Sequence, residues 1–394
     1  MNNHKCVALL TVATFLSGTV FFTSRADAAD GAAESTPPAQ PKAGPGGASY
    51  PFGGKKVQTY GEGGLQYWLF EPVNPTPKSC PVIVFNHGWS VMEPGPYEGW
   101  IEHLVRRGNI VIYPRYQNGL FSKPNAFVDN AAAAVKDALS KLASEPGHVR
   151  PQTDKVAVVG HSAGGQVAAG LATVAQAKGL PQMKAVMCVE PGKSWGSTHM
   201  VIPLYDMSKM PASTLLLTVF GEQDFVAKDI DARRIYNESK NVPKANKNCV
   251  ELMTDEHGSP PLMATHFCPV APAPSRGSGA DNLRRLQIQA NGGVANAAGS
   301  GVGHTIRREF FQRHLLELRK TQPGAFAEDS EDAAPAPNAL NALDYYGLWK
   351  LFDGLTDAAF FGKNRQYALG NTPEMRFMGK WSDGVPVKEL KVVQ

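Results

Sequence analysis

Gly160-His161-Ser162-Ala163-Gly164 places a serine between two glycines. Lys155 to Val159 before it is a short apolar run, as expected for a buried parallel strand. Gly165 to Ala177 after it is small and apolar at helical spacing. A serine on the sharp bend between a strand and a helix has its hydroxyl exposed at the carboxyl edge of a sheet. The glycines leave room for the bend. The next backbone N–H, that of Ala163, points where a carbonyl oxygen would become negative during acyl transfer. Gly192-Lys193-Ser194-Trp195-Gly196 repeats the spacing, but no helical stripe follows it. Context therefore selects Ser162 and leaves Ser194 in a loop.

A serine hydroxyl needs a base within hydrogen-bond reach, and the base needs a carboxylate to orient it. Ser213 to Phe220 is a strand candidate that ends in Gly221-Glu222-Gln223-Asp224. A carboxylate just past a glycine turn is well placed for the orienting role, which favours Asp224. Glu190, straight after the strand candidate Lys184 to Val189, is the rival acid. The base must come from the loop after the last parallel strand, Cys249 to Thr254, where both His257 and His266 lie. Loop length alone favours His257. His304 and His314 sit in or beside a charged helical stretch and read as surface residues. His161 faces away from its own neighbour. A second oxyanion donor is expected from Asn86-His87-Gly88-Trp89, where a strand ends in a His-Gly turn, and the Trp89 N–H is the choice.

The elements that must position these groups alternate. Strand candidates at 56–60 and 65–70 flank Gly61 to Gly64 as a hairpin. Strands at 81–85, 109–113, 155–159, 184–189, 213–220 and 249–254 then alternate with helices at 96–107, 126–144, 165–177 and 229–239. This predicts an α/β fold with a mostly parallel central sheet covered on both faces.

In order and spacing these features resemble the α/β-hydrolase superfamily. Ala264-Thr265-His266-Phe267-Cys268-Pro269 is similar to the Ala-Ser-His-Phe-Ala-Pro stretch around the catalytic histidine of bacterial cutinase-like polyester hydrolases. With Gly160 to Gly165 and the Gly88-Trp89 turn, the likeness lies near the cutinase-like and dienelactone-hydrolase-like branches and covers 81–269. It implies a Ser162–Asp224–His266 esterase that works through an acyl-enzyme without cofactor or metal. It also favours His266 over His257. Gly258 to Met263 reads as an insertion, and the chain continues well beyond the end of those small enzymes.

Lys5, the apolar run Cys6 to Phe22 and Ala26-Asp27-Ala28 form a signal peptide over 1–28 with cleavage near Ala28. An exported, periplasmic or extracellular enzyme without a stable membrane span is expected. Residues 29–49 read as a flexible Pro/Gly/Ala linker, 50–270 as the catalytic core, 271–338 as a low-complexity insertion with one charged helix, and 339–394 as a final helix and tail packed on the core. The net charge of +4 over 394 residues, with no basic run, argues against nucleic acid as partner and for a small-molecule or polymeric ester. Cys80, Cys188, Cys249 and Cys268 remain after cleavage. An exported chain permits disulfides, and Cys249–Cys268 is the expected pair. Two further readings stand beside the esterase: a non-catalytic binding protein on the same scaffold, and an amidase or peptidase.

Overall fold

Strand alternation writes the sheet. Val82 and Val84 point into one apolar cluster while Ile83 and Phe85 point into the other, and Val156/Val158 against Ala157/Val159 repeat the pattern. Such strands must be covered on both faces. Among the described residues the sheet has nine strands in the order β1-β2-β4-β3-β5-β6-β7-β8-β9. β1 (Gly54–Tyr60) and β2 (Tyr67–Val73) form an antiparallel hairpin, and β2 also runs antiparallel to β4 (Ile110–Pro114). β3 (Ser79–Asn86), β5 (Arg150–His161), β6 (Met183–Val189), β7 (Leu215–Gly221) and β8 (Lys247–Leu252) continue it in parallel. β9 (Lys391–Val392) closes the far edge antiparallel to β8.

This computed structural model describes residues 34–119, 122–192, 201–271 and 339–393. The chain from Ser35 onward forms one unit. The expected signal peptide 1–28, Ser194, all but the first residue of the expected insertion 271–338 with the helix expected in it, His304 and His314 lie outside the described residues. Among the described residues no helix is long and apolar enough to cross a membrane.

α2 (Phe127–Ser144) and α3 (Ala163–Val174) cover one face, helped by Ile235 of α4 (Ile230–Glu238). α1 (Glu98–Arg106) covers the other with Trp100, Ile101 and Leu104. The aromatic stretch expected as one final helix is a π-helix, Leu343–Trp349, running into α5, Lys350–Phe361. Phe352 meets Trp100 edge-to-face with centroids 6.2 Å apart, and Trp349 stacks on His103 at 4.4 Å. This segment is a structural layer, buried against the sheet. Phe352→Ala would empty a fully buried ring site, and we expect it to lower the unfolding free energy by about 3–5 kcal/mol in urea titration.

Residues 35–49 are not the free linker that their composition predicts. The Gly46 N–H donates to Asp353 Oδ2 at 2.7 Å, Gln40 ties back to the Gly46 carbonyl at 3.0 Å, and the Thr36 N–H donates to Ser382 Oγ at 2.9 Å. Proline and glycine left little to bury, but backbone N–H and C=O groups supplied the attachment.

Candidate active site

The parallel strands end on a common edge, and the chemistry collects there. β5 ends at His161, and Ser162 follows with φ 55° and ψ −120°, an unusual conformation for a residue with a side chain. The glycines around it answer to contact. A Cβ on Gly160 would lie 2.0 Å from the Gly164 carbonyl oxygen, and one on Gly164 would lie 2.2 Å from that of Asn86. The Ser162 hydroxyl is thus held by backbone that tolerates no substituent on either side.

Asp224 lies three residues beyond β7, and His266 lies on the loop after β8. The structure brings both to Ser162. His266 Nε2 is 2.9 Å from Ser162 Oγ, and His266 Nδ1 is 2.9 Å from Asp224 Oδ2. Asp224 Oδ1 accepts the N–H groups of Val226 and Ala227 at 2.9 and 2.8 Å, which fixes the carboxylate plane. Burial pushes the Asp224 carboxyl up, but the His266 ring and those N–H donors outweigh it and hold it below the usual range. A carboxylate on Nδ1 fixes the tautomer whose Nε2 accepts a proton from the serine.

His257 is not brought to the serine. Its Nε2 meets Asp383 Oδ2 at 2.6 Å, and its ring lies against Trp381. The cause is Asp255, whose carboxylate accepts the Trp381 indole N–H at 3.1 Å and the Lys388 N–H at 2.9 Å and so draws this part of the loop to the C-terminal tail. Glu190 lies under the site, fully buried, with φ 46° and Oε2 3.9 Å from His266 Nδ1. Burial first, then the Asp224 charge, hold its carboxyl well above the ordinary range. Its folded pKa exceeds its unfolded one, so its stabilising effect is complete below the ordinary carboxylate range and is lost as pH rises toward the folded value. The local slope reaches at most about 1.4 kcal/mol per pH unit. Glu190→Gln should remove this slope, read from urea midpoints measured between about pH 4.5 and 8.

The two backbone groups expected to face an oxyanion stand at this edge. Trp89 follows the turn after β3, and Ala163 opens α3. The Gly88 carbonyl accepts from the Val91 N–H at 3.1 Å and lies 2.7 Å from His87 Nδ1, while His87 Nε2 lies 2.7 Å from the Arg115 carbonyl. The Trp89 ring packs on Phe127 at 5.3 Å. His87 is stacked 4.1 Å from Tyr116, and burial lowers its imidazole to about 4.

The expected disulfide is absent, and Cys80, Cys188, Cys249 and Cys268 are free thiols. Cys249 is inside β8, packed with Phe220 and Ala232, while Cys268 Sγ donates to Glu190 Oε1 at 3.3 Å. The two cysteines bracket the base loop in sequence without meeting in space. His161, Glu190 and His266 carry ligand-type atoms within 4.8 Å of one another. His161 Nε2 and both His266 nitrogens are already engaged with the His266 carbonyl, Asp224 and Ser162, so these side chains are committed to hydrogen bonds.

The fold is that of the α/β-hydrolase superfamily. The chlorophyllase family, a family of serine esterases within that superfamily, matches residues 71–216, from β2 to the start of β7. That match spans Ser162 and Glu190 and ends before Asp224 and His266. Over 162 residues, 39% of this chain, the sequence is 27% identical to methylphloroacetophenone synthase of Cladonia uncialis. The chain spans 6% of the length of that curated relative.

Proposed function

We propose that this chain is a serine hydrolase that cleaves carboxylic esters through an acyl-enzyme, exported from the cell after removal of residues 1–28. The hydrogen-bonded line Ser162 Oγ–His266 Nε2, 2.9 Å, and His266 Nδ1–Asp224 Oδ2, 2.9 Å, carries the proposal, and the chlorophyllase match over the serine supports the ester class. His266 takes the proton of Ser162 Oγ as the oxygen attacks the ester carbonyl. The oxyanion forms against the N–H groups of Trp89 and Ala163. His266 then returns the proton to the leaving alcohol, and the acyl group stays on Ser162. Water, deprotonated by the same imidazole, releases the acid and restores the serine. Asp224 keeps the tautomer and balances the imidazolium charge.

A fluorophosphonate probe tests the nucleophile, and p-nitrophenyl butyrate against the matching anilide tests the bond. Labelling of the wild type but not of Ser162→Ala, with turnover of the ester, is expected. No labelling would favour a non-catalytic protein on this scaffold, and preferential anilide cleavage would make it an amidase.

A further inference from the structure

His161 is adjacent to the nucleophile and takes no part in the steps above. It is nonetheless buried and hydrogen-bonded at both ring nitrogens. The Gly88 N–H donates to Tyr97 Oη at 2.9 Å. Tyr97 Oη lies 2.8 Å from His161 Nδ1, and His161 Nε2 lies 2.8 Å from the backbone carbonyl of His266. The partners dictate where each proton sits. A backbone N–H only donates and a carbonyl only accepts, so Nε2 carries the ring proton and Nδ1 accepts the phenol proton. Burial lowers the His161 imidazole to about 4, which keeps this neutral form, and burial also raises the Tyr97 phenol, which keeps its proton. Glu190 Oε2 lies 3.3 Å from the same Nε2 and flanks the bond to His266.

We propose that Tyr97 and His161 are positioning residues. They form a hydrogen-bond line running from Gly88, beside the Trp89 turn, to the main chain of His266, and so fix the base against Ser162 from behind. The inference rests on Ser162 and His266 being nucleophile and base. His266 belongs to a loop far along the chain, and Asp224 holds only its ring. The contact from His161 holds its backbone, and the holder is the residue that precedes the nucleophile. The Gln223 N–H, donating to the Ala264 carbonyl at 3.0 Å, holds the loop from the β7 side, and the His161 contact ties the His266 main chain directly to the turn that carries Ser162. Gly88 fits the same purpose, because a Cβ there would press to 3.1 Å on both His161 Nδ1 and Tyr97 Oη.

The test compares His161→Leu, His161→Gln and Tyr97→Phe in the full chain. Active sites are counted by fluorophosphonate titration, and kcat and KM are measured with p-nitrophenyl butyrate. Misplacing a reacting group by about 1 Å costs on the order of 10²-fold, so His161→Leu should lose roughly that in kcat per titrated site with KM changed less than about twofold. His161→Gln keeps an N–H donor for the His266 carbonyl and should return to within about tenfold of the wild type. Tyr97→Phe, which removes one hydroxyl from a ring that stays packed, should fall between them. A structural role alone would lower the number of titrated sites and leave kcat per site intact; that result, or a glutamine variant no better than leucine, overturns the proposal. A wild type that the probe does not label overturns the hydrolase assignment and the positioning role with it. A labelled wild type beside an unaffected His161→Leu overturns the positioning role alone.

Discussion

Ser162→Ala should lower kcat toward p-nitrophenyl butyrate by about 10⁶-fold, the scale on which removal of a triad nucleophile acts. The folded state should hardly change. The hydroxyl is buried and its hydrogen bond runs to His266, so the loss in stability is on the order of 1 kcal/mol. The remaining activity would come from substrate binding and from the Trp89 and Ala163 N–H groups, which the substitution leaves in place. The effects of Ser162→Ala and His266→Ala should not add, because the two groups act as one unit. A Ser162→Ala protein that keeps more than about one hundredth of wild-type turnover would remove this serine from the chemistry.

Asp224→Asn should cost about 10⁴-fold in kcat with little change in fold. The amide would offer an N–H to His266 Nδ1, turn the imidazole to the other tautomer and leave Nε2 protonated against the serine. Glu190→Gln should cost less than about tenfold, because its oxygen stands 3.9 Å from Nδ1 where Asp224 stands 2.9 Å away. The two variants measured side by side decide which carboxylate serves the base. If Glu190→Gln is the damaging change, the acid belongs after β6 and Asp224 is a structural anion of its own turn.

Much of this edge could be anticipated from residue order. The strands were legible because Val82-Ile83-Val84-Phe85 and Val156-Ala157-Val158-Val159 are apolar at every position, as a strand covered on both faces requires. The serine turn was legible because close backbone approach demands glycine at 160 and 164. Asp224 followed from its distance beyond a strand. The choice between His257 and His266 was not legible from spacing, since both share a loop whose path is set by Asp255 and the tail some 130 residues later. Likeness to the cutinase-like motif chose His266 where periodicity had no voice. The Cys249–Cys268 bridge failed for a related reason. Nearness in sequence says nothing of facing, and β8 turns Cys249 toward α4 while Cys268 looks into the site. The roles of Tyr97 and His161 left no sequence signal, because they depend on which carbonyl lies above an imidazole.

The loop that carries His266 is moored near both ends of the described residues. The Ser259 N–H donates to the Ser35 carbonyl at 2.8 Å, and Asp255 receives Trp381 and Lys388. Neither mooring crosses the sheet. A protease that nicks residues 35–46 would slacken the loop while the nine strands, which lie outside that stretch, stay paired. During limited digestion, turnover should therefore fade well before circular dichroism reports any loss of structure.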